Sequence, residues 1–336
     1  MANLLWIQAV GCGGETASLL NSDHPHLLAA LHSLDVTVLG HPYLSGQAPG
    51  GMDRVLDDCT EGKIHVDLLV VEGATYLALP QGPAGASRSR PLTDGIHAIA
   101  GLADYTVAVG TCASFGGIMA CGRNPMAATG LQFYRDEAGG LLGADYRSRG
   151  GLPVVNVPGC PAHPDWIIGT LWALRADRLA PADLDRFNRP RAFYGKLAHH
   201  ACPRNEYYEF KASATAYSQL GCLFENLGCK GTLCESDCNE RLWLARTGSC
   251  TRGGFPCLSC TSPVFPDRFV PFFETAKISG IPTSLPLDVP KAWYVGISGL
   301  SKLACPERLR RNAVSFRPAW PDQEAPPGDG DPNDRV

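Results

Sequence analysis

The sequence predicts an α/β fold, a doubly wound parallel sheet, followed by an irregular region rich in cysteine. Three observations carry this. In the first half, short runs of Val, Ile and Leu closed by Gly or Pro alternate with stretches of helical spacing. From about Pro190 the alternation stops, and eight of the fourteen cysteines crowd between Cys202 and Cys260. Three more, Cys12, Cys112 and Cys160, each follow an apolar run.

In chain order, strands are expected at 4–10, Val36–Leu39, Asp67–Glu72, Tyr105–Gly110 and Pro153–Val157. Each is short and nearly continuously apolar, as parallel strands buried on both faces are. Pro25 to Leu34 places Leu27, Leu31 and Leu34 on one helical face, and Thr93-Asp94 caps a helix running to about Leu102. Pro164-Asp165 opens another, with Ile167, Leu171 and Leu174 at helical spacing. This alternation is that of a flavodoxin-like sheet, whose sites lie at the carboxyl ends of the strands. Cys12, Glu72, Cys112 and Cys160 are therefore expected to meet on one edge. The organisation expected is a flavodoxin-like domain over 1–189, a cysteine-rich domain over 190–280 and a C-terminal extension over 281–336. One more helix is expected beyond Asp288, through Trp293, Ile297 and Leu300, and the tail Pro321–Val336 reads as irregular.

A chain of 336 residues is long enough for two domains. Its net charge of −4 gives no reason to expect nucleic acid or an anionic membrane as partner. No run is long and apolar enough for a transmembrane segment. Met1-Ala2-Asn3 runs straight into Leu4-Leu5-Trp6 without a basic n-region, twin arginine or cleavage site, so a cytoplasmic location is expected. In that compartment so many cysteines favour metal over disulfides.

Phe255-Pro256-Cys257-Leu258-Ser259-Cys260 holds a Cys-x-x-Cys pair, and His199-His200-Ala201-Cys202 offers an imidazole and a thiol three residues apart. A zinc ribbon from Cys234, Cys238, Cys257 and Cys260 would leave His199, Cys202, Cys222 and Cys229 unexplained. Eight thiols plus one histidine suit two cubane iron–sulfur clusters better, since each cubane takes four ligands. At the strand ends, a second cysteine is expected three residues after Cys12, and Glu15 stands there. It reads either as a carboxylate favourable in a first helical turn or as an oxygen ligand, with the ligand reading preferred.

The chain resembles the small subunit of nickel–iron hydrogenases along nearly its whole length. The first half carries the resemblance in Leu5-Trp6-Ile7-Gln8 running into Gly11-Cys12, Val71-Glu72-Gly73-Ala74, Gly110-Thr111-Cys112-Ala113-Ser114-Phe115-Gly116-Gly117 and Val157-Pro158-Gly159-Cys160-Pro161. The second half adds His199-x-x-Cys202-Pro203-Arg204, Leu227-Gly228-Cys229-Lys230-Gly231 and Pro256-Cys257-x-x-Cys260. The resemblance implies three 4Fe-4S clusters in a row, relaying electrons from H2 oxidation at the Ni-Fe centre of a partner large subunit to an acceptor. It implies a proximal set of Cys12, Glu15, Cys112 and Cys160, and a distal set of His199, Cys202, Cys222 and Cys229. The implied medial set is Cys238, Cys250, Cys257 and Cys260. Many relatives carry proline at the Cys250 position and hold a three-iron cluster, so a four-iron medial cluster is expected here. Glycine at Gly14 and Gly117, where the best-known oxygen-tolerant membrane enzymes carry extra cysteines, excludes their six-cysteine proximal site. Catalysis is expected on the large subunit, with Glu72 a possible interface acid.

Within the family, the chain resembles the cytoplasmic high-affinity, actinobacterial-type uptake group, and a dimer of heterodimers is expected. The alternative is the small subunit of a hydrogen-sensing regulatory hydrogenase signalling to a kinase. A sensor is expected to keep the full cysteine set at its proximal site, so Glu15 favours the enzyme. Cys59, Cys121, Cys234 and Cys305 read as small buried hydrophobes. His24, His26 and His41 are expected on surface or loop, and His200 beside a ligand.

Overall fold

The computed structural model describes residues 1–44, 51–78, 92–266 and 272–317; the Pro321–Val336 tail lies outside them. The described chain divides into two compact units. The first comprises Met1–Ala198, Cys234–Gly248 and the described part of Ser259–Phe269.

This first unit is built on five strands: β1 (Ala2–Gln8), β2 (Val36–Gly40), β3 (Leu68–Glu72), β4 (Tyr105–Val109) and β5 (Val155–Val157). They lie in the order β2-β1-β3-β4-β5 and pair parallel throughout. That is the flavodoxin-like order, and its switch point falls between β1 and β3. Period-two alternation divides the core. Leu4, Trp6, Leu68, Val70 and Val107 face one side, with Leu19 of α1 (Gly14–Leu20), Ala30 of α2 (Leu27–Ser33) and Trp166 and Leu171 of α6 (Pro164–Arg175). Leu5, Ile7, Leu69, Val71 and Ala108 face the other, with Cys59 of α3 (Gly51–Thr60) and Ile96 and Ile99 of α4 (Leu92–Ala100). Helices thus cover both faces, which is why the strands carry so little polar residue. The short helix α5 (Gly110–Phe115) follows β4 directly.

The second unit comprises His199–Leu233, Ser249–Leu258 and the described residues from Phe272 onward. Its helices are α7 (Asn205–Glu209), α8 (Lys291–Leu303) and α9 (Glu307–Ala313). Its apolar clusters are small: Ala214 with Leu223 and Leu227, Cys222 with Phe224 and Tyr294, and Ala212 with Leu309 and Ala313. Polar ties supplement them. Arg204 donates to the carbonyls of Thr251 (3.0 Å), Gln219 (2.5 Å) and Gly221 (2.6 Å), pinning two loops with one guanidinium. The helix expected beyond Asp288 is present as α8, but its inward residue is Tyr294, whereas Trp293 and Leu300 are exposed.

Candidate metal centres

Gln8, Glu72, Val109 and Val157 are register partners in one row, so four strands end abreast. The loops leaving that row deliver Cys12, Cys112 and Cys160. Between Cys12 and α1 the chain turns through Gly13 at φ 73°, and Glu15 falls in the first helical turn. Its side chain does not point to solvent. One carboxylate oxygen accepts the Ala162 backbone N–H at 2.7 Å. The other rests against Gly110, whose φ of +85° and contact with the carboxylate leave no room for a Cβ. Gly117 is similarly constrained, since a Cβ there would stand 2.9 Å from the Cys112 sulfur.

Burial and neighbouring charge act on these donors. Burial pushes the Glu15 carboxyl up to about 8; the Ala162 N–H opposes this and the Glu72 charge adds to it. Burial, then Cys112, Glu15 and Cys12, push the Cys160 thiol up to about 12. Cys112 is raised by burial and by Glu15 and Cys12, against backbone N–H groups that lower it. Three thiols and a buried carboxyl, with Cys112 and Cys160 raised by burial and by the donors beside them, suit a polynuclear cation as their common partner.

Glu72 ends β3 beside this set. Its Oε2 accepts from Trp6 Nε1 (2.9 Å) and Thr16 Oγ1 (2.5 Å), while the buried Oε1 has no hydrogen-bond partner among the described residues. His24 and His26 are exposed, and His41 lies in the loop after β2 as expected, though buried rather than on the surface. It follows β2 in a turn, yet it is 2% exposed, 5.2 Å from the Trp6 ring and 3.4 Å from Thr16 Oγ1. Burial lowers its pKa to about 4, so it is neutral there. Its Nδ1 accepts from the Tyr43 and Leu44 backbones.

Thr111, missed by sequence reasoning, joins three segments of the first unit that carry candidate ligands. Its hydroxyl donates to the Cys260 carbonyl and accepts the Gly159 N–H at 2.9 Å. Thr111→Val keeps the shape but strands both backbone groups. It is expected to destabilise the folded protein by about 1–3 kcal/mol, read as a lowered midpoint in urea; an unchanged midpoint would show that the bridge contributes nothing.

In the second unit, His199, Cys202, Cys222 and Cys229 line one pocket, with Tyr208 and Phe224 among its walls. Cys222 is raised well above the ordinary thiol value by burial and then by Cys229, with Cys202 adding to it. The Cys257 backbone N–H donates to the Cys229 sulfur at 3.4 Å. His199 Nε2 lies 3.0 Å from Asp288 Oδ2, and its Nδ1 is buried without a hydrogen-bond partner among the described residues. Burial holds this imidazole below its ordinary pKa against the opposing hydrogen bond and charge of Asp288. A neutral imidazole with Nε2 tied to a carboxylate is how a metal-binding histidine is presented. Sequence reasoning does not reach Asp288, because no spacing signal links positions 89 apart.

The expected medial residues divide between the units. Cys238 opens the turn Cys238–Arg241 in the first unit and accepts from Ser236 Oγ at 3.3 Å, and Cys260 belongs to the same unit. Cys250, exposed, and Cys257, buried, belong to the second. Of the four remaining cysteines, Cys59, Cys234 and Cys305 are buried, whereas Cys121 is only half-buried. Cys234 lies within 3.5 Å of Ser236 Oγ and 3.3 Å of Thr261 Oγ1.

Two family models match. Residues 194–273 match the C-terminal family of NiFe/NiFeSe hydrogenase small subunits, and residues 12–174 match the 20 kDa subunit family of NADH ubiquinone oxidoreductase. The chain is 34% identical over 303 residues to the small subunit of F420 non-reducing hydrogenase II of Methanosarcina mazei, covering 83% of this chain and 77% of that one. It is 33% identical over 289 residues to the periplasmic [NiFeSe] hydrogenase small subunit of Desulfomicrobium baculatum, covering 81% and 87%. Among solved structures it resembles the actinobacterial-type NiFe-hydrogenase from Ralstonia eutropha H16, with a TM-score of 0.72 and 29% identity over 91% of this chain and 92% of that one.

Proposed function

From the premise that this chain belongs to the small subunits of nickel–iron hydrogenases, we propose that it holds three 4Fe-4S clusters and serves a cytoplasmic uptake enzyme. As a hydrogenase small subunit it is the electron-transfer partner of a large subunit. The proximal set in this reading is Cys12, Glu15, Cys112 and Cys160, within residues 1–189. The distal set is His199, Cys202, Cys222 and Cys229, and the medial set is Cys238, Cys250, Cys257 and Cys260, both within 190–280. Residues 281–336 form the extension. The observation that carries this reading is the convergence of Cys12, Glu15, Cys112 and Cys160 on strands that end abreast.

When bound, such clusters accept and release single electrons. The protein's own part is to set ligand type, hydrogen bonding and burial around each. Glu15 supplies a hard anionic oxygen among soft thiols. Thr111 fixes the distance between the loops of Cys112 and Cys260. The Cys257 N–H directed at the Cys229 sulfur withdraws charge from that thiolate and favours the reduced state.

Exposed apolar side chains close in sequence to the proximal ligands, Val10 and Ile118, support docking of the large subunit at this strand edge. The exposed Trp293, Leu300 and Leu303 of α8 support a further protein contact, and we read the complex as a dimer of heterodimers. Among the described residues no helix is long and apolar enough to cross a membrane. Cell fractionation separates our cytoplasmic reading from the periplasmic placement of the D. baculatum relative.

The purified complex, assayed for H2 oxidation with an artificial acceptor at trace H2 and under air, is expected to sustain turnover. It is expected to contain about twelve iron atoms per heterodimer beyond the active-site iron, from three cubanes. Negligible turnover with tight capture of a kinase would overturn the uptake reading, and a colourless zinc-bound chain would overturn the clusters.

A further inference from the structure

Asp288 accepts from two imidazoles through a single oxygen. His199 Nε2 and His200 Nε2 each lie 3.0 Å from Asp288 Oδ2. An ionised carboxylate is acceptor-only, so both nitrogens carry the protons.

Packing fixes the arrangement. The Leu287 N–H bonds to the Thr232 carbonyl, one residue past the pocket-lining Gly231. Leu285 and Val289 pack against the cluster of Cys222, Phe224 and Tyr294. Tyr208 sits edge-on to the His199 ring at 5.1 Å and restricts its rotation. Asp288 also lies beyond residues 194–273, the stretch shared with the family's C-terminal model. Asp288 thus belongs to the extension.

We infer that Asp288 is a positioning residue for the distal centre: it fixes His199 in the Nε2–H tautomer, turns Nδ1 toward the cluster, and lowers that cluster's reduction potential by feeding carboxylate charge into the imidazole. The inference rests on the reading of His199 as a distal ligand. A carboxylate–imidazole pair makes the ligating nitrogen a stronger donor, which stabilises the more oxidised cluster. His200 competes for the same oxygen and moderates the effect. Its side chain is 48% exposed, against 13% for His199, so it is the partner open to solvent.

The test uses the purified complex of large and small subunits, an EPR-monitored redox titration of the distal cluster and its nitrogen hyperfine coupling. Asp288→Asn removes the charge while keeping the shape. It is expected to favour distal reduction by about tenfold, roughly 59 mV upward for a one-electron couple, with iron content unchanged. Asp288→Glu is expected to restore most of the shift. His200→Ala leaves Asp288 wholly to His199 and is expected to move the potential the other way, a sign that general loosening of the fold does not produce. An unchanged potential in Asp288→Asn with nitrogen coupling intact would overturn the inference, as would same-sign shifts in Asp288→Asn and His200→Ala. Absence of nitrogen coupling in the unsubstituted complex would instead overturn the assignment of His199 as ligand.

Discussion

Glu15→Ala is expected to lower H2 oxidation by the purified complex at least about 100-fold, because it removes the one carboxylate from the proposed proximal set. The neighbouring Glu72 carboxylate is already held through Oε2 by Trp6 Nε1 and Thr16 Oγ1. The Ala162 N–H that holds the Glu15 carboxylate is a donor, and Gly110 on its other side presents no side chain. Glu15→Cys should behave differently. It should keep a full complement of iron, shift the proximal EPR spectrum, and move the potential by tens of millivolts at least, since thiolate and carboxylate differ in softness. If Glu15→Ala retains full turnover, iron content and spectrum, Glu15 is only a first-turn carboxylate.

The second large effect concerns the proposed medial cluster. Cys250→Pro is expected to lower iron by about one atom per heterodimer and to add the paramagnetic signal of an oxidised three-iron cluster. The medial potential should rise by on the order of 100 mV or more, given how strongly cluster type sets potential. Cys250 is exposed, so Cys250→Ala separates loss of the thiol from any constraint imposed by the proline ring. Unchanged iron and spectra in both variants would show that Cys250 is not a ligand.

The sheet was legible because parallel strands buried on both faces must be apolar at every position, and Leu68–Glu72 is buried throughout. Boundaries were less so. The first strand, expected at 4–10, runs Ala2–Gln8, because pairing of Ala2 with Val36 sets its start, and Val10 leaves the sheet for an isolated bridge to Ala74. Polarity alone puts His41 on the surface, whereas Trp6 and Thr16 on other elements decide its burial. Convergence of Cys12, Cys112 and Cys160 followed from one topological rule, since each stands just past a strand end. Asp288 and Thr111 followed from none. Their partners are fixed by how irregular loops fold back, and irregular loops carry no periodicity to read. Motif resemblance named His199, but a motif is silent about what orients its own histidine.

Four strands that end abreast also impose an order in time. Cys12, Cys112 and Cys160 lie far apart along the chain, and parallel pairing of distant segments is slow to form. Their shared site does not exist until the sheet is complete, so the proximal centre is filled into a finished scaffold. The pocket around His199 has the opposite history. Its apolar clusters are small, and in the proposed reading ligation supplies much of the drive to fold. In a cell short of iron the chain should therefore accumulate with its sheet protected from hydrogen exchange and the segment 199–233 open. Scarcity would be felt first at the outer end of the electron path.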